Sequence, residues 1–187
     1  MNPEHRRACA SDEWRATVRD LIIPWVLSDV DLGDNVIELG PGFGATTDVL
    51  SDMLPRLTAV EIDPELASLL FKRFATSNVE IVTGDATALK FTDGCFSGAT
   101  SFSMLHHVPS PALQDRVFSE AQRVLRLGGV FVATDSLDST DLRAFHRDDT
   151  YVPIDPDDLP VRLGAAGFED IDIEQNEYAW KALARCT

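Results

Sequence analysis

Apolar residues near the start of the chain follow the spacing of an α-helix. Between residues 12 and 28 these positions are Trp14, Val18, Leu21, Ile22, Trp25 and Val26. The spacing predicts a helix with one apolar face, for which Ser11 or Asp12 is a suitable N-cap. Pro24 is expected to kink or interrupt this helix, because proline has no backbone N–H to donate.

Beyond residue 30 the pattern changes to short apolar runs, each followed by a segment of helical spacing. The runs predict five strands, at Val36–Leu39, Leu57–Ile62, Val79–Val82, Phe96–Phe102 and Val130–Ala133. The intervening helices are expected near residues 45–54, 63–74 and 111–126. Strands and helices that alternate in this way predict a parallel sheet with helices on both faces.

The last third of the chain departs from this rhythm. A helix is expected to open at Asp155–Pro156, followed by a sixth strand at Phe168–Glu174 and a seventh at Glu177–Arg185. Only two or three residues separate these two strands. A parallel neighbour needs a crossover of about a dozen residues or more, so we expect one antiparallel edge strand.

The composition fits one globular domain of 187 residues, 44% of them hydrophobic. A formal net charge of −15 repels phosphate groups and anionic lipids, so we expect neither nucleic acid nor a membrane as partner. The chain shows no secretory signal pattern and no long apolar run. Cys9, Cys95 and Cys186 are scattered, which favours a cytoplasmic location and argues against disulfides or a zinc site.

Three acidic residues, Glu38, Glu61 and Asp85, stand at the ends of the first three predicted strands. The carboxyl ends of parallel strands form the usual ligand crevice of such sheets. The glycine-rich turn at residues 40–44 lets backbone approach a ligand there. The same turn loosely fits a dinucleotide fingerprint, but Glu38 would oppose a pyrophosphate and favour a ligand with an ammonium group.

Five segments resemble motifs of the class I S-adenosylmethionine-dependent methyltransferases, in the same order. The segments are Val36–Gly44, Val60–Asp63, Gly84–Ala86, Ser103–Val108 and Arg123–Gly129. The resemblance implies S-adenosylmethionine as cofactor and methyl transfer by in-line displacement.

The resemblance covers roughly residues 30–187. It implies an α/β, doubly wound, Rossmann-like three-layer sandwich. The expected sheet has seven mostly parallel strands in the order 3-2-1-4-5-7-6, with strand 7 antiparallel. We expect a single domain over residues 1–187, with an N-terminal helical cap over 1–30 and a cofactor-binding core over 31–187.

The resemblance also implies cofactor contacts at named positions. Glu61 is expected to accept the ribose hydroxyls, Asp85 to accept from the adenine amino group, and Glu38 to orient the ammonium. The full expected set is Glu38, Gly40, Gly42, Gly44, Glu61, Ile62, Asp85, Ala86, Ser103 and Met104.

On the acceptor side, His106 and His107 are candidates for a general base, although the pair also suits a purely structural role. Trp14, Asp135 and His146 are expected to line the substrate pocket. No pattern of acids or histidines predicts a metal.

The expected acceptor is a small molecule, and the chain is expected to be a monomer or homodimer. Two alternatives stay open, a non-catalytic subunit that binds S-adenosylmethionine and a nicotinamide-dependent oxidoreductase.

Overall fold

Seven strands form one sheet in the computed structural model, which describes residues 1–187. The strands are β1 (Val36–Leu39), β2 (Leu57–Glu61), β3 (Val79–Thr83), β4 (Phe96–Phe102), β5 (Leu125–Ser136), β6 (Phe168–Gln175) and β7 (Ala179–Cys186). Their order is β3-β2-β1-β4-β5-β7-β6. The first five pair in parallel, and β7 runs antiparallel to both β5 and β6. The predicted sheet order and the antiparallel seventh strand are confirmed.

The two central strands, β1 and β4, are buried at every position. Helices cover both of their faces, so the polar residues of these strands, which are Glu38 in β1 and serine and threonine in β4, are buried together with the apolar ones. Gly98 of β4 has no room for a side chain, because a Cβ there would lie 2.6 Å from the carbonyl oxygen of Leu32.

Helices pack on both faces of the sheet. They are α1 (Pro3–Cys9), α2 (Asp12–Thr17), α3 (Ile23–Val26), α4 (Ala45–Met53), α5 (Pro64–Arg73), α6 (Pro111–Val124), α7 (Thr140–Phe145) and α8 (Leu159–Ala165). One apolar core lies against α6 and α8, and a second lies against α3, α4 and α5. None of the helices has the length and apolar character needed to cross a membrane.

Local structure adds to the sequence prediction in three places. The helix expected over residues 12–28 is interrupted near Pro24, as predicted, by a π-helical turn, Val18–Ile22, that ends two residues before the proline. The fifth strand begins earlier, at Leu125, with a register shift opposite Phe96 and Gly98. Helices α1 and α7 were not predicted, because both are short and carry no long apolar stripe.

Candidate active site

The segment Gly40–Gly44, which we call the glycine loop, joins β1 to α4. Gly40, Gly42 and Gly44 adopt positive φ angles of 70°, 57° and 75°. A Cβ at Gly40 would lie 2.2 Å from Cγ of Met104, so this position admits no side chain. A Cβ at Gly42 would meet nothing within 4 Å and would project into open space. The loop therefore presents bare backbone to a ligand.

Glu61 ends β2 and is tied to the glycine loop. Its Oε2 accepts from the Gly42 N–H at 2.9 Å, and its Oε1 accepts from the Asp63 N–H at 2.9 Å. Burial raises the pKa of Glu61, and the two backbone donors offset part of that effect. Each carboxylate oxygen has a second lone pair, which leaves acceptor capacity for ligand hydroxyls.

The next strand ends supply an apolar surface and a third acid. Ile62 is 68% exposed, which is unusual for isoleucine and provides a flat apolar contact for a ring. Asp85 follows β3 and accepts from the backbone N–H and the hydroxyl of Thr87, both at 2.8 Å. Glu61, Ile62, Asp85 and Ala86 line the same cavity, and their contacts with a cofactor stay a prediction.

Glu38 lies directly behind the cavity wall, and its predicted contact with the cofactor ammonium stays a prediction. The residue is 1% exposed. Its carboxylate accepts from the hydroxyl of Thr46, which lines the cavity, and, at 2.7 Å, from the hydroxyl of Thr47. Burial raises the pKa of Glu38 to about 7. Gly44 also lies off the cavity wall, as the residue that precedes α4.

Ser103 and Met104 leave β4 and line the cavity beside the glycine loop. Ser103 has a φ of 50°, and its N–H donates to the Thr134 carbonyl at 2.9 Å. A 3₁₀ turn, Leu105–His107, follows and carries the histidine pair into the other half of the cavity. The exit from β4 thus connects the two halves of the site.

All four histidines of the chain meet in that second half, and we call them the histidine cluster: His5, His106, His107 and His146. Neighbouring ring centroids lie 4.0 Å apart for His106 and His107 and 4.5 Å apart for His5 and His146. Tyr151 stacks on His146 with centroids 4.4 Å apart.

Asp135, which was predicted to line the substrate pocket, does not reach the cavity wall. It contacts His106, which does. It is 2% exposed and absent from the cavity wall. Its Oδ1 lies 2.6 Å from Nδ1 of His106, and its Oδ2 accepts from the His106 N–H at 3.0 Å. The carboxylate of Asp135, at the end of β5, is therefore buried beneath the turn Leu105–His107 and orients His106. Nε2 of His106 is buried and has no hydrogen-bond partner.

The remaining histidines are held in the same way. Nδ1 of His107 lies 3.2 Å from the Thr150 carbonyl, and Nδ1 of His146 lies 2.7 Å from the Leu142 carbonyl. Burial, with the nearby His106 and His5, lowers the pKa of His107 to about 3. Burial likewise lowers the pKa of His5 and His146.

Helix α1 closes the cavity over the histidine cluster. Asn2 caps the helix by accepting from the His5 N–H, and its side chain donates to the carbonyls of Phe145 and Arg147. Asp149 accepts from the Asn2 N–H and lies 3.1 Å from Nδ1 of His5. The N-terminal segment is therefore fastened to the segment that follows α7.

The cavity measures about 670 Å³, within the usual range for small-molecule sites. Predicted residues on its wall are Gly40, Gly42, Glu61, Ile62, Asp85, Ala86, Ser103, Met104, His106, His107, Trp14 and His146. Sequence reasoning missed His5, Phe145 and Tyr151. Asn2–Pro3, a capping residue followed by proline, was the signal for α1, whereas nothing in the sequence indicated Tyr151.

The fold is the one that the resemblance to the S-adenosylmethionine-dependent methyltransferases implies. The chain belongs to the methyltransferase domain family, whose sequence profile matches residues 37–133, more than half of its length. The predicted enzyme class and the predicted cofactor, S-adenosylmethionine, are confirmed at the level of this family.

Curated relatives are methyltransferases with different named substrates. A probable ribosomal RNA small subunit methyltransferase A from Thermococcus onnurineus is 45% identical over 60 residues, 32% of this chain and 22% of that protein. A sterol 4-C-methyltransferase from Caenorhabditis elegans is 30% identical over 122 residues, 62% of this chain and 36% of that protein. The chain therefore matches well under half of either protein.

The fold itself is shared over the whole chain with a protein of known structure from Pyrococcus horikoshii. The two have a TM-score of 0.82 and 17% sequence identity, over 98% of this chain and 97% of that one. The predicted fold class is confirmed by this similarity.

The expectation that nucleic acid plays no part was wrong. Several relatives are named as methyltransferases of small subunit ribosomal RNA. The expectation rested on a net charge of −15. Net charge describes the surface as a whole, whereas contact with RNA depends on the local charge where the RNA lies.

Proposed function

We propose that this chain transfers the methyl group of S-adenosylmethionine to an acceptor. The acceptor would enter the chamber, by which we mean the half of the cavity that the histidine cluster lines beneath α1. One observation carries the proposal: the strand-end acids and the histidine cluster line one continuous cavity. The half lined by Glu61 and Asp85 suits the cofactor, and the half lined by the histidine cluster is available to the acceptor.

The residues in the first half suit the parts of the cofactor. Glu61 retains acceptor capacity for two ribose hydroxyls, and Ile62 and Asp85 suit the face and the amino group of adenine. Bare backbone at Gly42 accommodates an amino-acid tail. When bound, S-adenosylmethionine supplies a methyl group on a positively charged sulfur, which leaves as a neutral thioether.

The second half suits an acceptor that loses a proton. His106 is oriented by Asp135, and its buried Nε2 is free to take a proton from an acceptor hydroxyl or ammonium. Ser103 and Met104 line the same cavity as His106. Alignment of acceptor, methyl carbon and sulfur can lower the barrier by several kcal/mol, up to about 7–11.

The limited volume of the cavity, about 670 Å³, favours a compact acceptor, and we propose a small molecule. Ribosomal RNA is the second candidate, because relatives that match part of this chain are named as ribosomal RNA methyltransferases. A single base flipped out of an RNA strand is also a compact group.

Transfer of radiolabelled methyl tests the proposal and separates the two acceptors. The full chain is incubated with labelled S-adenosylmethionine and either a metabolite extract or ribosomal RNA. Label in the metabolite fraction supports a small molecule, and label in RNA supports the second candidate.

Two variants control this experiment. Glu61→Gln is expected to abolish transfer, whereas Glu177→Gln, at an exposed position in the turn before β7, is expected to retain it. Transfer that persists in Glu61→Gln would contradict the proposed cofactor site. His106→Gln is expected to lose transfer while binding of S-adenosylhomocysteine is unchanged.

A further inference from the structure

The orientation of the histidine cluster has a chemical meaning of its own. In each of the four rings Nδ1 faces an oxygen, either a carboxylate of Asp149 or Asp135 or a backbone carbonyl. Carbonyls and ionised carboxylates only accept hydrogen bonds, so Nδ1 must carry the hydrogen in each ring. The other nitrogen, Nε2, then holds a lone pair.

This arrangement matches the support of metal-binding histidines. Such histidines almost always donate the second ring N–H to a carboxylate or a carbonyl, which fixes the ring and directs the free nitrogen at the ion. In His106 and His146 that free nitrogen is buried and has no partner in the protein. Unpartnered buried polar atoms are uncommon and call for an explanation.

Three of the rings are also close enough to share one ion. One ring nitrogen from each of His5, His107 and His146 lies within 4.8 Å of those of the other two. His5 and His146 are 4% and 5% exposed. In a zinc site each nitrogen lies about 2.0–2.1 Å from the ion, so binding would draw these three nitrogens closer together.

We propose that His5, His107 and His146 form a binding site for one divalent first-row transition metal ion, such as Zn²⁺. Imidazole nitrogen suits Zn²⁺, Ni²⁺ or Fe²⁺, whereas Mg²⁺ and Ca²⁺ prefer oxygen ligands. The sequence did not indicate this site, because its ligands come from α1, the turn after β4 and the residue after α7.

Three protein ligands leave a coordination position open, as in catalytic zinc sites. All three histidines line the cavity assigned to the acceptor, so an acceptor oxygen or nitrogen could bind the ion at that position. This role toward the acceptor rests on the proposed methyl transfer. Metal binding itself does not, because the three ligands are complete without the cofactor.

Titration with Co²⁺ tests the site directly. The full chain, purified without a histidine tag and stripped with a chelator, is titrated in the absence of S-adenosylmethionine. We expect one Co²⁺ per chain with visible d–d absorption bands, displacement by Zn²⁺, and no competition from Mg²⁺. Because the chain has only four histidines, all in this cluster, binding elsewhere through histidine is excluded.

Variants assign the ligands. His107→Gln and His146→Gln are each expected to weaken Co²⁺ binding at least tenfold. Phe145→Leu is the matched control, because Phe145 packs against His5 and His146 and has no ligand atom. It is expected to bind Co²⁺ as the wild type does, and circular dichroism verifies that each variant is folded.

Two results would overturn the proposal. One is the absence of Co²⁺ binding by the wild-type chain, which no folding defect could explain. The other is equal binding by the wild type and both folded histidine variants. Either result would leave the proposed methyl transfer untouched, since that is measured by label transfer from S-adenosylmethionine.

Discussion

Replacement of Glu38 by glutamine should change how protein stability depends on pH. Glu38 is buried, and its pKa rises from 4.5 to about 7 in the folded chain. At about 1.4 kcal/mol per pH unit, this shift corresponds to roughly 3 kcal/mol. Below pH 4.5 the carboxyl group is protonated in both the folded and the unfolded chain, so its ionisation does not lower the free energy of unfolding there.

The loss of stability caused by Glu38 grows as the pH rises. Between pH 4.5 and about 7 the unfolded chain releases the Glu38 proton and the folded chain retains it, so the free energy of unfolding falls. Above the folded pKa the loss is complete at about 3 kcal/mol. Glutamine stays neutral, and its amide can bond to both threonine hydroxyls, so the variant avoids this loss.

Urea unfolding followed by tryptophan fluorescence, from about pH 5 to pH 8.5, measures the effect. The difference between Glu38→Gln and the wild type removes the contribution of all other groups. We expect the variant to gain about 2–3 kcal/mol relative to the wild type across this range. Glu80→Gln, at an exposed position on β3, controls for removal of one carboxylate. A difference that does not change with pH would refute the reasoning.

Three further changes test other parts of the structure. Gly42→Ala forces a side chain to positive φ, so we expect a stability loss of about 1 kcal/mol in urea unfolding, and a more than tenfold loss of S-adenosylhomocysteine affinity in calorimetry. Asn2→Ala removes the cap of α1 and two contacts to the segment after α7, so amide hydrogen exchange in α1 should rise while the core stays protected. Gln114→Leu removes the side-chain donor to the carbonyls of Leu105, which still accepts from the Val108 N–H, and of Val152, which should cost about 1–3 kcal/mol in urea unfolding. Unchanged values in these measurements would contradict the corresponding contacts.

The sheet was predictable because short strand-like runs alternate with capped helices along the chain. The link of two or three residues before the seventh strand was enough to require an antiparallel edge. Short elements were not predictable in this way, since α1 and α7 are set by their caps and by tertiary contacts. The same limit applies to the fifth strand, whose start at Leu125 depends on its pairing with Phe96.

The site was predictable where a residue's position on a strand determines its surroundings. Glu61 and Asp85 line the cavity because the carboxyl ends of parallel strands meet at one edge. Glu38 stands near an equivalent strand end, but its buried carboxylate is bonded to two threonines in α4, of which Thr46 lines the cavity. The histidine cluster joins residues that are more than 100 positions apart, such as His5 and His146, and no local pattern reports such a meeting.

Calorimetric titration with S-adenosylhomocysteine tests the central claim, that the strand-end acids and the glycine loop hold this nucleoside. We expect one binding site per chain, weakened at least tenfold by Glu61→Gln and unaffected by Glu177→Gln, and no binding of NAD. Tight binding of NAD with no heat from S-adenosylhomocysteine would contradict the claim.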